Sequence, residues 1–207
     1  MSLAQPKRIL IIKLRHHGDV LLSTPVVDAL KTHFPDCEID MLVYAGTGQL
    51  IADNPQIAQI FTIDRNWKKL GVFKQLECEK NLLSKLKARD YDWAFNLSDQ
   101  WRAAIIAKLC ARCSVGLDCI KRDGFWWRFC HDFINHELDP SHHIVENQLN
   151  ILAPLIQPED VADAKVRLWV AQDARESMQQ KLREQGWSGE DYVLLHPGAR
   201  WHFKCWE

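Results

Sequence analysis

Apolar positions along this chain follow two alternating rhythms. Arg8-Ile-Leu-Ile-Ile-Lys-Leu14 is a short, nearly continuous apolar run rich in β-branched residues, the pattern of a strand covered on both faces in a parallel sheet. Glu38 to Tyr44, Ala58 to Ile63, Asp92 to Leu97 and Ser114 to Leu117 read as further strands. Helical patterns separate them. Thr24 is placed to cap a helix with Pro25 in its first turn, and that helix ends near Phe34-Pro35. Gly46 to Asn54 reads as a turn and short helix. From Phe73 to Arg89, the residues Phe73, Leu76, Leu83 and Leu86 fall near one helical face. Trp101, Ile105 and Leu109 recur at four-residue spacing, and His142 to Ile156 reads as a further amphipathic helix.

Strand and helix in alternation predict a doubly wound α/β domain with a parallel sheet. Gln157-Pro158-Glu159-Asp160 is polar and proline-bearing, which places a domain edge there. The expected division is a first Rossmann-like domain over 1–160, then a linker and the start of a second such domain over 161–207. In the latter, Lys165 to Val170 precedes a helix from Asp173 to Gln185 that Gly186 stops. Asp191 to His196 looks like an opening strand, yet the sequence runs only eleven residues further. It would be an unpartnered edge, and the chain reads as carrying only the beginning of the second domain.

Composition narrows the class. With 47% hydrophobic and 26% charged residues, the chain has the material for a substantial core, and disorder is excluded as a reading. A formal net charge of -1 without a long basic stripe argues against nucleic acid. The first apolar run, Ile9 to Ile12, is too short for an export signal or a bilayer span, so a cytoplasmic protein is expected. Seven irregularly scattered cysteines fit reduced thiols better than a disulfide framework.

Two segments carry chemistry. His16-His17-Gly18-Asp19 sits at the carboxyl end of the first strand, where open α/β sheets place their ligands. An aspartate there can act as general base toward an attacking hydroxyl, or it can cap backbone N–H groups at a helix start. Spacing alone leaves both open. Near the other end, His196-Pro-Gly-Ala-Arg-Trp-His-Phe-Lys-Cys-Trp206 combines a small-residue turn with Arg200 and Lys204. Backbone N–H groups around Gly198 can approach a pyrophosphate while the lysine neutralises charge growing on a departing phosphate. A solvated basic loop is the plain alternative.

The segment Arg8 to Pro25, with Lys13, Gly18-Asp19-Val20 and Thr24-Pro25, resembles the amino-terminal signature of the ADP-heptose:lipopolysaccharide heptosyltransferases, glycosyltransferase family nine. Tyr91-Asp92 leading to Asn96-Leu-Ser-Asp-Gln-Trp101, His143-Ile-Val-Glu146 and Arg200 to Trp206 are similar, in the same order, to its heptosyltransferase III branch. The resemblance implies a two-domain GT-B fold, with the acceptor bound mainly by the first domain and the nucleotide sugar mainly by the second. It implies inverting, metal-independent transfer of heptose from ADP-heptose to an inner-core heptose of lipopolysaccharide, without a cofactor, at the cytoplasmic face of the inner membrane. By position Asp19 matches the proposed base and Lys204 the lysine on the donor phosphates, with Arg200 and Gly198 beside it. Acceptor-side candidates are Gly18, which leaves room for substrate, His17, Arg102, Lys121 and Arg122. The family's Asp-Ser-Ala-Pro-Gly-His-type nucleotide segment is absent, so the chain alone is expected to be inactive; a non-catalytic acceptor- or partner-binding fragment is the alternative.

Other motifs are weaker. Gly46-Thr47-Gly48 lacks the third glycine of a dinucleotide fingerprint, Ile51 standing in its place, and reads as a plain turn. Cys110-Ala-Arg-Cys113 with Cys119, Cys130 and His131 fits no common zinc spacing. Arg65 to Lys74 with Trp67, and Lys121 to Arg128 with Phe125, Trp126 and Trp127, mix cations and aromatics as membrane-interface and glycolipid sites do.

Overall fold

The computed structural model describes residues 5–118, 124–135, 141–157, 161, 163–198, 203 and 205. It forms two compact units, Met1–Trp169 and Val170–Glu207.

In the first unit, strands β1 (Arg8–Lys13), β2 (Glu38–Tyr44), β3 (Gln59–Ile63), β4 (Tyr91–Asn96), β5 (Ala111–Leu117) and β6 (Phe133–Asn135) form one six-stranded sheet in the order β3-β2-β1-β4-β5-β6. Every neighbouring pair is parallel. The helices are α1 (His17–Leu21), α2 (Thr24–His33), α3 (Val72–Lys87), α4 (Trp101–Cys110), α5 (Phe125–Phe129) and α6 (Ile144–Leu149). This is the doubly wound α/β arrangement expected from the alternation. The strand order reverses between β1 and β4, which opens a crevice outside their carboxyl ends.

Successive β1 residues point to opposite faces, and both faces are covered. Ile9 and Ile11 pack with Val26, Val27 and Leu30 of α2 and with Ile151 and Leu152. Leu10 and Ile12 pack with Leu82 and Leu86 of α3 and Ala103, Ile106 and Ala107 of α4. That two-sided burial is why the strand reads as a continuous apolar run rather than an alternating one.

At the amino ends of the strands lies an ionic cluster. Asp40 is fully buried and accepts hydrogen bonds from the Tyr91 hydroxyl at 2.6 Å and from Arg89 Nε at 2.7 Å. Arg89 also pairs with Glu38 at 2.7 Å.

Several expectations need correction. The loop at 16–19 is mostly the short helix α1, and α2 follows Ser23 rather than being capped by Thr24, whose hydroxyl donates to Leu21 O at 2.8 Å. In α3 the buried residues are Leu82 and Leu86, whereas Phe73 is 89% exposed and Leu76 is also exposed. Periodicity marks a stripe along a helix but not how much of its length a neighbour covers. In α4 Ile105 and Leu109 face outward, and Ala103, Ala104, Ile106, Ala107 and Cys110 are buried. Small side chains bring that face close to the sheet. α5 and β6 were not anticipated.

In the second unit, α7 (Gln172–Glu184) is followed by Gly186 at φ +93°, a left-handed conformation suited to glycine at a helix end. Residues 191–196 form no strand; Val193, Leu194 and Leu195 are exposed and no described segment pairs with them. A strand requires a hydrogen-bonded neighbour.

Candidate functional site

The loops leaving β1 and β4 are bound to each other at the switch point. Leu14 N donates to Ser98 Oγ at 2.7 Å, and Gln100 Nε2 donates to Leu14 O at 2.8 Å, so both backbone groups of Leu14 are held by the opposite loop. Ser98 N in turn donates to Asn96 Oδ1 at 3.0 Å. The Asn96 amide nitrogen then faces His131 Nε2 at 3.1 Å, and His131 Nδ1 faces Trp127 O at 2.9 Å. Donor and acceptor roles follow from one another: Asn96 Nδ2 donates, so Nε2 accepts and the ring proton resides on Nδ1, donated to Trp127 O. Burial holds the His131 pKa below its ordinary value, in keeping with that neutral ring.

Lys13 closes β1. It is 4% exposed, and its Nζ donates to Leu97 O at 3.1 Å. Burial pulls its pKa down to about 8, while the negative charge of Asp19 pulls the other way. A buried, depressed lysine beside a ligand crevice is a mark of a functional site.

Asp19 lies in α1, half-buried, with Oδ2 accepting from His16 N at 3.2 Å. Of the two roles open from the sequence, the cap at the helix start is the one the hydrogen bonding displays. One carboxylate oxygen caps the helix start, and the other has no hydrogen-bond partner among the described residues and can receive a proton. A Cβ on Gly18 would meet open space. His17 Nε2 lies 3.0 Å from Gly46 O, which ties α1 to the turn after β2.

A cavity of about 450 Å³ adjoins this loop. Four cations line it, Arg15, Arg65, Lys68 and Arg102, together with His16, Tyr44 and Gln100. Arg15 pairs with Asp99 at 2.8 Å and Arg102 with Glu79 at 2.6 Å. The Arg65 guanidinium lies 4.1 Å above the Tyr44 ring, and the Tyr44 hydroxyl donates to Gln100 Oε1 at 2.6 Å. Such a polar, positive cavity suits a ligand carrying hydroxyls and negative charge.

The structure thus brings His16, the first residue of the His16–Asp19 segment, and Arg102 to one cavity, whereas His17, Gly18 and Asp19 do not line it. Gly198 is described in the second unit, exposed, with open space where a Cβ would stand. Lys121, Arg122, Arg200 and Lys204 lie outside the described residues. Arg65 and Lys68 belong to the basic aromatic cluster noted in the sequence. Asn96, Ser98 and Gln100 lie in the Asn96–Trp101 segment that resembles the family, and His131 stood among the cysteines, but neither they nor Arg15 and Tyr44 had a role assigned from sequence, because each acts through a partner distant in sequence.

Two other motifs have local explanations. His143 and Glu146 cap α6: Glu146 Oε2 accepts from His143 N at 3.2 Å, and His143 Nδ1 accepts from Val145 N at 3.3 Å. Cys110, Cys113 and Cys130 are buried in three separate clusters of the core. Burial pushes the thiols of Cys110 and Cys113 up to about 11, the opposite of what a metal thiolate needs. Among the described residues no group of side chains is arranged to hold a metal ion.

The family model described as glycosyltransferase family 9 (heptosyltransferase) matches residues 80–207. The chain belongs to this family. Lipopolysaccharide heptosyltransferase 3 of Escherichia coli K12 is 36% identical over 199 residues, covering 94% of this chain and 55% of that protein. Lipopolysaccharide heptosyltransferase 1 of Campylobacter coli is 22% identical over 93% of this chain and 55% of its own length. The family 9 chain therefore spans about half the length of the curated relatives it matches. Among solved structures, a glycosyl transferase family 9 protein of Veillonella parvula DSM 2008 superposes with a TM-score of 0.74 at 21% identity, over 92% of this chain and 52% of that one. E. coli heptosyltransferase WaaC with ADP-2-deoxy-2-fluoro heptose superposes with a TM-score of 0.62 at 21% identity, over 71% of this chain and 47% of that one. The fold is that of the GT-B heptosyltransferases, and the family match takes in β4, the loop bearing Ser98 and Gln100, and Arg102.

Proposed function

We propose that this family 9 chain is part of a heptosyltransferase that moves heptose from ADP-heptose onto an inner-core heptose of lipopolysaccharide, at the cytoplasmic face of the inner membrane. In the proposed reaction an acceptor hydroxyl attacks the anomeric carbon of the donor. The bond from that carbon to the β-phosphate oxygen breaks, ADP leaves from the opposite face, and configuration inverts. Asp19 takes the hydroxyl proton. Lys204, Arg200 and the backbone around Gly198 receive the diphosphate, and the reaction uses neither metal nor cofactor.

The observation that carries this reading is the position of Asp19. It stands at the carboxyl end of β1 beside the switch point, with one oxygen uncommitted among the described residues and a cavity lined by Arg15, Arg65, Lys68 and Arg102 next to its loop. Those cations suit an anionic, hydroxyl-rich core oligosaccharide, with Gly18 leaving space above the base. The deciding experiment uses the full-length enzyme with ADP-heptose and a heptose-deficient core acceptor. Asp19→Ala should lower turnover by about 10²- to 10⁴-fold, the usual share of general base catalysis. Turnover near that of the unsubstituted enzyme would remove Asp19 from the reaction.

A further inference from the structure

α5 is apolar on its outside. Phe125, Trp126 and Phe129 are 74%, 67% and 60% exposed. They form a cluster of their own, with ring centroids 5.5 Å apart for Phe125 and Trp126, 6.4 Å for Phe125 and Phe129, and 6.3 Å for Trp126 and Phe129. The opposite side of the same helix is anchored. Trp127 is 1% exposed, packs with Ala104 and Cys130, and meets Trp101 edge-on at 5.5 Å. The three outer rings are therefore held out by a well-packed inner side.

The sequence flanking them is cationic. Arg128 is exposed in the same helical turn, and by sequence Lys121 and Arg122 precede the helix, so 121–128 holds three cations against the single acid Asp123. Clustered rings in water are unfavourable, and contiguous exposed apolar surface marks an interaction site. Aromatic rings flanked by Arg and Lys match the headgroup region of an anionic bilayer, where rings lie at the acyl boundary and cations meet lipid phosphates.

We propose that Phe125, Trp126 and Phe129 of α5 are a membrane-contact surface that seats in the headgroup boundary of an anionic bilayer. This extends the reading of a membrane-borne acceptor, but its test does not use sugar transfer.

The 207-residue chain is sedimented with vesicles of phosphatidylethanolamine and phosphatidylglycerol, and separately with phosphatidylcholine vesicles. Binding should favour the anionic vesicles and weaken as salt rises. It should fall by about tenfold or more when Phe125, Trp126 and Phe129 are all changed to Ser, with the thermal unfolding midpoint held. Should that variant misfold, brominated lipids supply the second measurement: they should quench the tryptophan fluorescence of the unsubstituted chain more than that of Trp126→Phe. The proposal is overturned if the unsubstituted chain ignores anionic vesicles, if the folded triple variant binds as well as it does, or if brominated lipids quench both proteins equally. It is also overturned if the rings instead bury against a second copy, seen as a dimer that the triple variant dissolves. Asp19→Ala should bind vesicles normally, so lost transfer with retained vesicle binding counts against the transfer reading alone.

Discussion

Gly116 of β5 lies against the flat of the His131 ring, so close that a Cβ on it would come within 2.6 Å of both Cδ2 and Nε2. Nε2 is the atom that receives Asn96 Nδ2, and the ring's other nitrogen is committed to Trp127 O. The ring cannot retreat without breaking the hydrogen-bonded series that runs through Asn96 and Ser98 to Leu14. Gly116→Ala is therefore expected to destabilise the first unit by about 1–3 kcal/mol, the usual cost of overpacking. Gly18→Ala, where a Cβ meets open space, should stay within about 0.5 kcal/mol. Chemical denaturation of the two variants side by side checks the contrast, and equal losses would contradict it.

Lys13 supplies a pH dependence. Its folded pKa is about 8 against an ordinary 10.5. Between those values the unfolded chain holds a proton that the folded chain has released. This group therefore makes stability climb as pH rises from about 8 to about 10.5, by up to about 1.4 kcal/mol per pH unit, and below 8 it imposes a constant penalty. Lys13→Met should remove that slope and raise stability at neutral pH by about 1–3 kcal/mol. Urea denaturation from pH 7 to 10 measures both effects. A variant that keeps the slope would show that another group produces it.

Asp40 is expected to matter for stability rather than for chemistry, since it lies at the amino ends of the strands, away from the crevice. Replacing it by Asn leaves Arg89 and the Tyr91 hydroxyl facing a neutral group inside the protein. The expected loss is about 2–4 kcal/mol, read from the denaturation midpoint. Tyr91→Phe, which removes one hydrogen bond, should cost about 1 kcal/mol.

Much of the fold was legible in the chain because short-range pattern decides it. β2 runs from Glu38 to Tyr44 as its residues suggested, and the alternation of strand and helix sufficed for a parallel doubly wound sheet. Errors arose where the covering partner is distant. Ile105 and Leu109 looked like a buried stripe, but Ala103, Ala104 and Ala107 allow the closer approach and take the inner face of α4. Residues 191–196 had the composition of a strand without a described neighbour to complete one.

The candidate site divides in the same way. The sequence by itself determined the His16–Asp19 segment at the end of the first strand, the basic residues near Arg65 and at Arg102, and the family to which the whole pattern belongs. These follow from residue type, order and strand position, which are local properties. Only the tertiary structure decided that Leu14 is clamped by Ser98 and Gln100, that Lys13 is buried under Leu97, and that Arg15, Arg65, Lys68 and Arg102 share one cavity. Those relationships join residues of β1 and of the segments that follow β1, β3 and β4. They exist because the sheet reverses its strand order between β1 and β4 and brings their carboxyl ends side by side.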